Sequence, residues 1–119
     1  MAALVTERSV KEKIRDRIKK YAPLVKAIPY PQGIGGEPGT PDRIGCVNGR
    51  MFLIEVKRPE IRDLNGKLLQ SGGALSPLQR KRLEEWAAVG AATLVTSNPD
   101  DVEPFIEGLI QRSDKPTNN

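Results

Sequence analysis

Two carboxylates and one amine near the middle of the chain have the types and spacing that metal-assisted hydrolysis requires. Asn48-Gly49 lies between two apolar runs, a pattern that predicts a two-residue type I′ hairpin with Asp42 directly opposite Glu55. Like charges so placed are destabilising unless a cation offsets them. Lys57 falls on the same face as Glu55, because strand side chains alternate with a period of two. The hairpin therefore predicts a divalent-cation site, where the ion would act as a Lewis acid and activate water.

Each of these three residues also has a purely structural interpretation. Asp42 could be a turn residue after Pro41, and Glu55 and Lys57 could form a solvated ion pair at the end of a strand. Against this, Glu55 interrupts the apolar run 51–56, which is typical of a central strand where an unpaired charge is costly. Glu55 in this run is therefore expected to have a buried partner, which favours the functional interpretation.

The composition excludes several other kinds of catalytic site. The chain has no histidine and a single cysteine, Cys46, so an internal disulfide, Cys/His zinc sites and histidine-based triads are all ruled out. Metal chemistry must then use carboxylate oxygens, which favour Mg²⁺ or Mn²⁺. We expect no nucleotide cofactor.

The length and the apolar runs bound the organisation of the chain. Its 119 residues fit one compact domain, since single domains usually contain ~100–150 residues. We expect this domain to span residues 1–111 and residues 112–119 to form a disordered tail. The longest apolar runs fall well short of the ~18 residues of a membrane span, and no secretory signal pattern is present. The sequence therefore predicts a cytoplasmic protein without membrane association.

The positive charge is concentrated in residues 1–98. They contain 17 Lys and Arg against 10 Asp and Glu, whereas residues 99–119 contain two against five. A basic body is what binding to a phosphate backbone requires, although such side chains can also form only a solvated face. The predicted backbone contacts are Lys11, Arg15 and Lys19 on one stripe of the first helix, together with Arg58, Arg80 and Lys81.

The pattern of apolar and turn residues predicts an α/β fold with the order α-β-β-β-α-β-α and a mixed four-stranded sheet. The predicted elements are a helix at 6–21, a strand at 24–28, a loop at 29–41, the hairpin at 42–57, a long connection at 58–75, a helix at 77–89, a strand at 92–96 and a helix at 100–110. Thr6 is the expected N-cap of the first helix, and Ser76 with Gln79 forms a capping box at the second. Asn65-Gly66 indicates a minor hairpin within the long connection.

Three segments also carry a family resemblance. They are Gly39-Thr40-Pro41-Asp42, Phe52-Leu53-Ile54-Glu55-Val56-Lys57 and Leu75-Ser76-Pro77-Leu78-Gln79. In order and character they resemble the virus-type replication-repair nuclease (VRR-NUC) family of the PD-(D/E)xK superfamily, over roughly residues 7–106. The resemblance implies a restriction-endonuclease-like fold that hydrolyses DNA phosphodiesters with Mg²⁺ or Mn²⁺. The connection at 58–75 is longer than in the family, which leaves its part in substrate binding open.

The resemblance implies a role for each residue of the central group. Asp42, Glu55 and the Val56 carbonyl would bind the metal. Lys57 would orient or help to deprotonate the attacking water and steady the developing phosphorane charge.

Two further residues enter the predicted site through the resemblance. Family members carry an acidic residue on the first helix that faces the site, and Glu7 shares the inward stripe of that helix whereas Glu12 lies on its outer face. Glu7 is therefore the predicted additional ligand, with stabilisation of the helix dipole as its structural alternative. Gln79 would lie beside Lys57, with capping of Ser76 as its alternative, and we expect these two roles to alternate rather than coexist.

The implied substrate is branched DNA, such as a four-way junction or a flap, cut by a homodimer with two active sites. Two rival functions remain at this point. One is a non-catalytic nucleic-acid-binding module of the same fold, against which the intact Asp42, Glu55 and Lys57 argue. The other is an RNA nuclease, which a comparison of matched RNA and DNA substrates would distinguish.

Overall fold

The computed structural model describes residues 4–30 and 38–114 as a mixed α/β domain. Its elements are α1 (Glu7–Lys19), β1 (Val25–Pro29), β2 (Arg43–Val47), β3 (Arg50–Val56), β4 (Ile61–Arg62), β5 (Leu68–Gln70), α2 (Pro77–Ala88), β6 (Ala92–Thr96), a 3₁₀ turn (Pro99–Asp101) and α3 (Val102–Asp114). The main sheet has the order β1-β2-β3-β6. Its only parallel pair among the described strands is β3 with β6, which α2 connects. The predicted order and the mixed four-stranded sheet are confirmed.

The Asn-Gly turn fixes the register at the centre of the sheet. Asn48 and Gly49 both have positive φ, at 48° and 84°, as a type I′ turn requires. Val47 consequently pairs with Arg50, and the ladder runs without a shift to Arg43 opposite Ile54. The next position along the two strands belongs to Asp42 and Glu55.

One face of the sheet packs against α1 and α3. Thr6 caps α1 by accepting a hydrogen bond from the Ser9 backbone N–H at 3.0 Å. The apolar stripe of this helix is buried in the same core as alternate residues of β3 and the inner face of α3. That core contains Val10, Ile14, Ile18, Phe52, Ile54, Val56, Val102, Ile106 and Leu109.

The other face of the sheet packs against α2. Leu53 points to this side and is buried with Leu83 and Ala91, with Trp86 partly covering them. Glu55 alternates with the Phe52 set and therefore belongs to this α2 side of the strand. Because β3 is covered on both faces, its single carboxylate is held inside the protein.

Several predicted boundaries differ from the structure. Within the connection at 58–75, the minor hairpin predicted at Asn65-Gly66 is confirmed: β4 and β5 pair antiparallel, and their turn includes Gly66 at φ 84°. The last helix begins after the 3₁₀ turn and continues to Asp114, beyond the predicted domain boundary at 111. Residues 31–37 of the predicted loop and residues 115–119 of the predicted tail lie outside the described residues. No helix in the described part of the chain is long and apolar enough to span a membrane.

Candidate active site

Asp42 continues the β2–β3 hydrogen-bond ladder past the end of β2, first through its backbone and then through its side chain. Its backbone N–H donates to the Ile54 carbonyl at 3.1 Å, and its Oδ2 accepts from the Val56 N–H at 2.7 Å. The carboxylate thus takes the place of a backbone acceptor and is fixed against β3. Three residues earlier, Gly39 packs closely against the start of α2: its φ is +78°, and a Cβ there would lie 2.8 Å from Leu78 Cγ. The strand register and the hydrogen bond from the Val56 N–H together place the Asp42 carboxylate beside the end of β3.

Glu55 is a buried carboxyl group in contact with a second one. Its residue is only 3% exposed, and its side chain is in hydrogen-bonding contact with that of Asp42. Burial, followed by the hydrogen bond and the charge of Asp42, raises the pKa of Glu55 to about 8, although Lys57 opposes the shift. Burial also acts to raise the pKa of Asp42, but hydrogen bonds from Glu55, Lys11 and the Val56 N–H outweigh it and lower that pKa. With these pKa values Glu55 keeps its proton near neutral pH in the metal-free protein, whereas Asp42 is ionised and lies beside the Lys11 ammonium.

Gln79 joins the start of α2 to both Glu55 and Lys57. Its Nε2 donates to Glu55 Oε2 at 2.8 Å, and its Oε1 accepts from Lys57 Nζ at 2.7 Å. The same Oε1 accepts from the Ser76 N–H at 3.0 Å, while Ser76 Oγ accepts from the Gln79 N–H. The prediction that capping and site contacts alternate is therefore wrong, because one carbonyl oxygen accepts two hydrogen bonds and serves both. Lys57 Nζ also lies 3.5 Å from Glu55 Oε2.

The first helix reaches the site through a lysine. Lys11 Nζ lies 2.8 Å from Asp42 Oδ1 and 3.5 Å from Glu7 Oε2, so this ammonium group links Glu7 to Asp42. Glu12 instead pairs with Arg8 at 3.4 Å, in an exposed contact. Lys11 was predicted from the sequence to contact DNA. The missed signal is its i+4 spacing from Glu7, which puts the two side chains on one helical face.

Two concave surfaces adjoin these residues. A cleft of about 700 Å³ is lined by Glu7, Lys57 and Arg58, with Leu4 and Leu69 among its apolar walls. A smaller cavity of about 260 Å³ is lined by Lys11 and Asp42, with Tyr30 on its edge. Lys57 and Asp42 therefore line surfaces open to solvent although Glu55 itself is buried.

Comparison with known proteins gives no relative. No protein-family model matches the chain, and neither does any curated protein or any solved structure. Any function must therefore be inferred from the contacts within the site.

The donor set at the site fits a hard divalent cation. Asp42 and Glu55 offer carboxylate oxygens, the donors that Mg²⁺ and Mn²⁺ prefer. Within residues 4–30 and 38–114, no group of three His, Cys, Asp or Glu side chains lies close enough to hold a metal ion. Mg²⁺ commonly uses one or two carboxylates and keeps several waters, so the pair suffices. Glu7 would join it only if Lys11 moved aside.

The residues predicted to contact DNA differ in their surroundings. Arg58 is anchored, donating to the Ser71 carbonyl at 2.8 Å and to Ser71 Oγ at 3.1 Å. Arg15 contacts its neighbour Asp16 at 3.3 Å. Lys19, Arg80 and Lys81 have exposed side chains. Arg80 and Lys81 directly follow Gln79 in α2, and Arg80 lines a separate pocket with Leu83 and Thr93.

Proposed function

We propose that this chain is a Mg²⁺- or Mn²⁺-dependent nuclease with a restriction-endonuclease-like fold of the VRR-NUC type. Its substrate in this proposal is branched DNA, such as a four-way junction or a flap. The observation that carries the proposal is the buried Glu55, held against Asp42 with the Lys57 ammonium 3.5 Å from its carboxyl group. Two carboxylates held this close destabilise each other when both are ionised, and a divalent cation with oxygen ligands would offset their charge.

The metal would be held by Asp42, Glu55 and the Val56 carbonyl. When bound, a divalent cation supplies Lewis-acid stabilisation of the phosphoryl oxygens and lowers the pKa of water. Asp42 is prepared for this role because the Val56 N–H holds its Oδ2 and leaves Oδ1 directed away from the strand ladder.

Lys57 and Gln79 act on the reacting groups. The Lys57 ammonium is held by Gln79 Oε1 at 2.7 Å, and Lys57 lines the larger cleft, which a phosphodiester could enter. There Lys57 orients the attacking water and stabilises the negative charge that develops on phosphorus-bound oxygens. Gln79 keeps Lys57 and Glu55 at a fixed separation by bonding to both.

The surroundings of the site favour a nucleic acid over a small phosphoester. Arg58 lines the cleft, and Arg80 and Lys81 are exposed cations in the N-terminal half of α2. Contacts of this type bind backbone phosphates and carry no sequence information. We therefore expect selectivity for the shape of the DNA rather than for its base sequence.

Cleavage of labelled junction, flap and duplex DNA with Mg²⁺ or Mn²⁺ tests the proposal. Asp42→Asn, Glu55→Gln and Lys57→Ala should each lower the single-turnover rate by about 10²–10⁴-fold. Glu12→Gln is the matched control, because it removes an exposed carboxylate on α1 outside the site, and it should cut like the wild type.

Three results would contradict parts of the proposal. Equal cleavage by the wild type and all three site variants would remove the assigned site. Metal-independent DNA binding without cleavage would favour a non-catalytic binding module. Faster cleavage of matched RNA would overturn the DNA substrate while keeping the chemistry.

A further inference from the structure

Lys11 is the described cation closest to the oxygen of Asp42 that a metal would use. Its Nζ lies 2.8 Å from Asp42 Oδ1, while Oδ2 is occupied by the Val56 N–H at 2.7 Å. The Lys11 side chain is 38% exposed and that of Asp42 is 21% exposed. The contact therefore lies at the mouth of the site and can open toward solvent.

The neighbouring Glu7 is a second carboxylate with which the Lys11 ammonium group can pair. Glu7 Oε2 lies 3.5 Å from Lys11 Nζ, on the same face of α1. A lysine ammonium is a compact charge on a flexible four-carbon stem, so it can move between two carboxylates without any movement of the helix. An ammonium group and a divalent cation repel each other strongly at the separation that one carboxylate oxygen imposes.

We propose that Lys11 is a resident cation of the site, which a divalent metal ion must displace from Asp42 in order to bind. The inference rests on the proposed metal site. Before the metal arrives, Lys11 offsets the charge of Asp42 and keeps the site assembled. Afterwards it pairs with Glu7, beside the cleft that contains Lys57. Lys11 is thus a positioning residue that sets the metal affinity, and not a DNA contact in the metal-free protein.

Mn²⁺ titration of the chelator-treated protein by calorimetry, without DNA, tests this inference. Lys11→Met keeps the aliphatic stem and removes the charge, and it should bind Mn²⁺ about three- to fivefold more tightly, as expected for losing a partly exposed ion pair. Lys13→Met removes the same charge from an exposed position on α1 and should leave the affinity unchanged. Asp42→Asn should weaken binding in either background.

A second measurement separates displacement from a merely structural role. Without metal, Lys11→Met should melt at a lower temperature than the wild type, but Mn²⁺ should raise its melting temperature by more. Equal or weaker Mn²⁺ affinity in Lys11→Met, or equal tightening in Lys13→Met, would overturn the inference and leave the proposed function intact. Absence of Mn²⁺ binding in the wild type and in Lys11→Met would instead overturn the proposed metal site, and this inference with it.

Discussion

At the scale of single residues, Gln79 contributes to both stability and the site, and the two contributions can be separated. Ser76→Ala removes one half of the capping box and should cost about 1 kcal/mol of unfolding free energy, while leaving the Gln79 bonds to Glu55 and Lys57 in place. Gln79→Ala removes those bonds as well. We expect both variants to lose stability in urea denaturation, but only Gln79→Ala to lose single-turnover cleavage by tenfold or more.

One result of this comparison would show that Gln79 has no role in the site. If Ser76→Ala and Gln79→Ala lose the same fraction of cleavage at temperatures where both are folded, the glutamine acts only as a helix cap. Circular dichroism at the assay temperature provides the folding control.

The carboxyl of Glu55 predicts how the stability of the metal-free protein depends on pH. Its pKa is raised from 4.5 to about 8, so between these values the folded state binds more protons than the unfolded state. The free energy of unfolding contributed by Glu55 is therefore fully present below about pH 4.5 and is lost as pH rises through about 8. The lowered pKa of Asp42 acts below its ordinary value of 3.8 and lies outside this window.

Urea denaturation in a chelating buffer from about pH 5 to about pH 9 measures this dependence. The wild type should lose stability relative to Glu55→Gln as pH rises, because the amide does not titrate. A difference in stability between the wild type and the variant that stays constant over this window would instead show that Glu55 is ionised throughout in the folded protein.

The residues of the site can be predicted from the sequence where turn type and strand register alone bring them together. The Asn-Gly turn fixes the register, which brings Asp42 to Glu55 and puts Lys57 on the same face. The Lys11 contact was not predictable, because it depends on where α1 packs against the sheet. Periodicity identifies which face of a helix is buried but not which loop its N-terminal turns reach.

At the scale of elements, Gly45 makes the close packing of β2 on β3 possible. A Cβ at Gly45 would lie 2.3 Å from Phe52 Cζ and 2.7 Å from the Lys26 carbonyl oxygen. The Phe52 ring is fully buried in the α1–α3 core and the Lys26 oxygen is backbone, so neither can yield easily. Gly45→Ala should lower the free energy of unfolding by about 1–3 kcal/mol, as overpacking does.

Gly108→Ala is the matched control in the same urea denaturation experiment. Gly108 lies within α3, and an added Cβ would meet nothing within 4 Å. Alanine should therefore stabilise the helix by about 0.5–1 kcal/mol, because glycine loses more backbone entropy on folding. Equal effects of the two substitutions would contradict the packing argument.

Element types were predicted better than element ends. Ser76-Pro77 and Gln79 fix the start of α2 through side-chain capping, which is visible in sequence. The end of α3 has no such marker, since the helix continues through residues 112–114, which the sequence assigns to a disordered tail. The start of α3 was also misplaced, because Asn98 caps a 3₁₀ turn before the α-helix begins.

At the scale of the whole molecule, the acidic C-terminal region folds back on part of the basic surface. Arg17 contacts Asp100 and lies 3.3 Å from Glu103, and Lys20 lies 3.2 Å from Glu103. Charge counting along the sequence revealed the asymmetry but not this pairing, which depends on α1 and α3 packing on the same face of the sheet. Net charge therefore overstates the surface available to a phosphate backbone.

This pairing predicts that the two basic regions contribute unequally to DNA binding. The double variant Arg80→Ala/Lys81→Ala removes exposed cations next to Gln79, whereas Arg17→Ala/Lys20→Ala removes the same charge from side chains already paired with acids. Removing one bond to a DNA phosphate lowers the slope of log affinity against log salt by about 0.9. The first variant should therefore lower the slope by up to about 2, and the second by much less.

Fluorescence anisotropy with a labelled four-way junction, in Ca²⁺ to suppress cleavage and at several salt concentrations, measures both slopes. The comparison is controlled internally, because the two variants have the same net charge. A larger decrease of slope in Arg17→Ala/Lys20→Ala would mean that DNA approaches along α1 and breaks the ion pairs with Asp100 and Glu103. In that case the path of the substrate would run over the first helix, away from the start of α2 that carries Gln79.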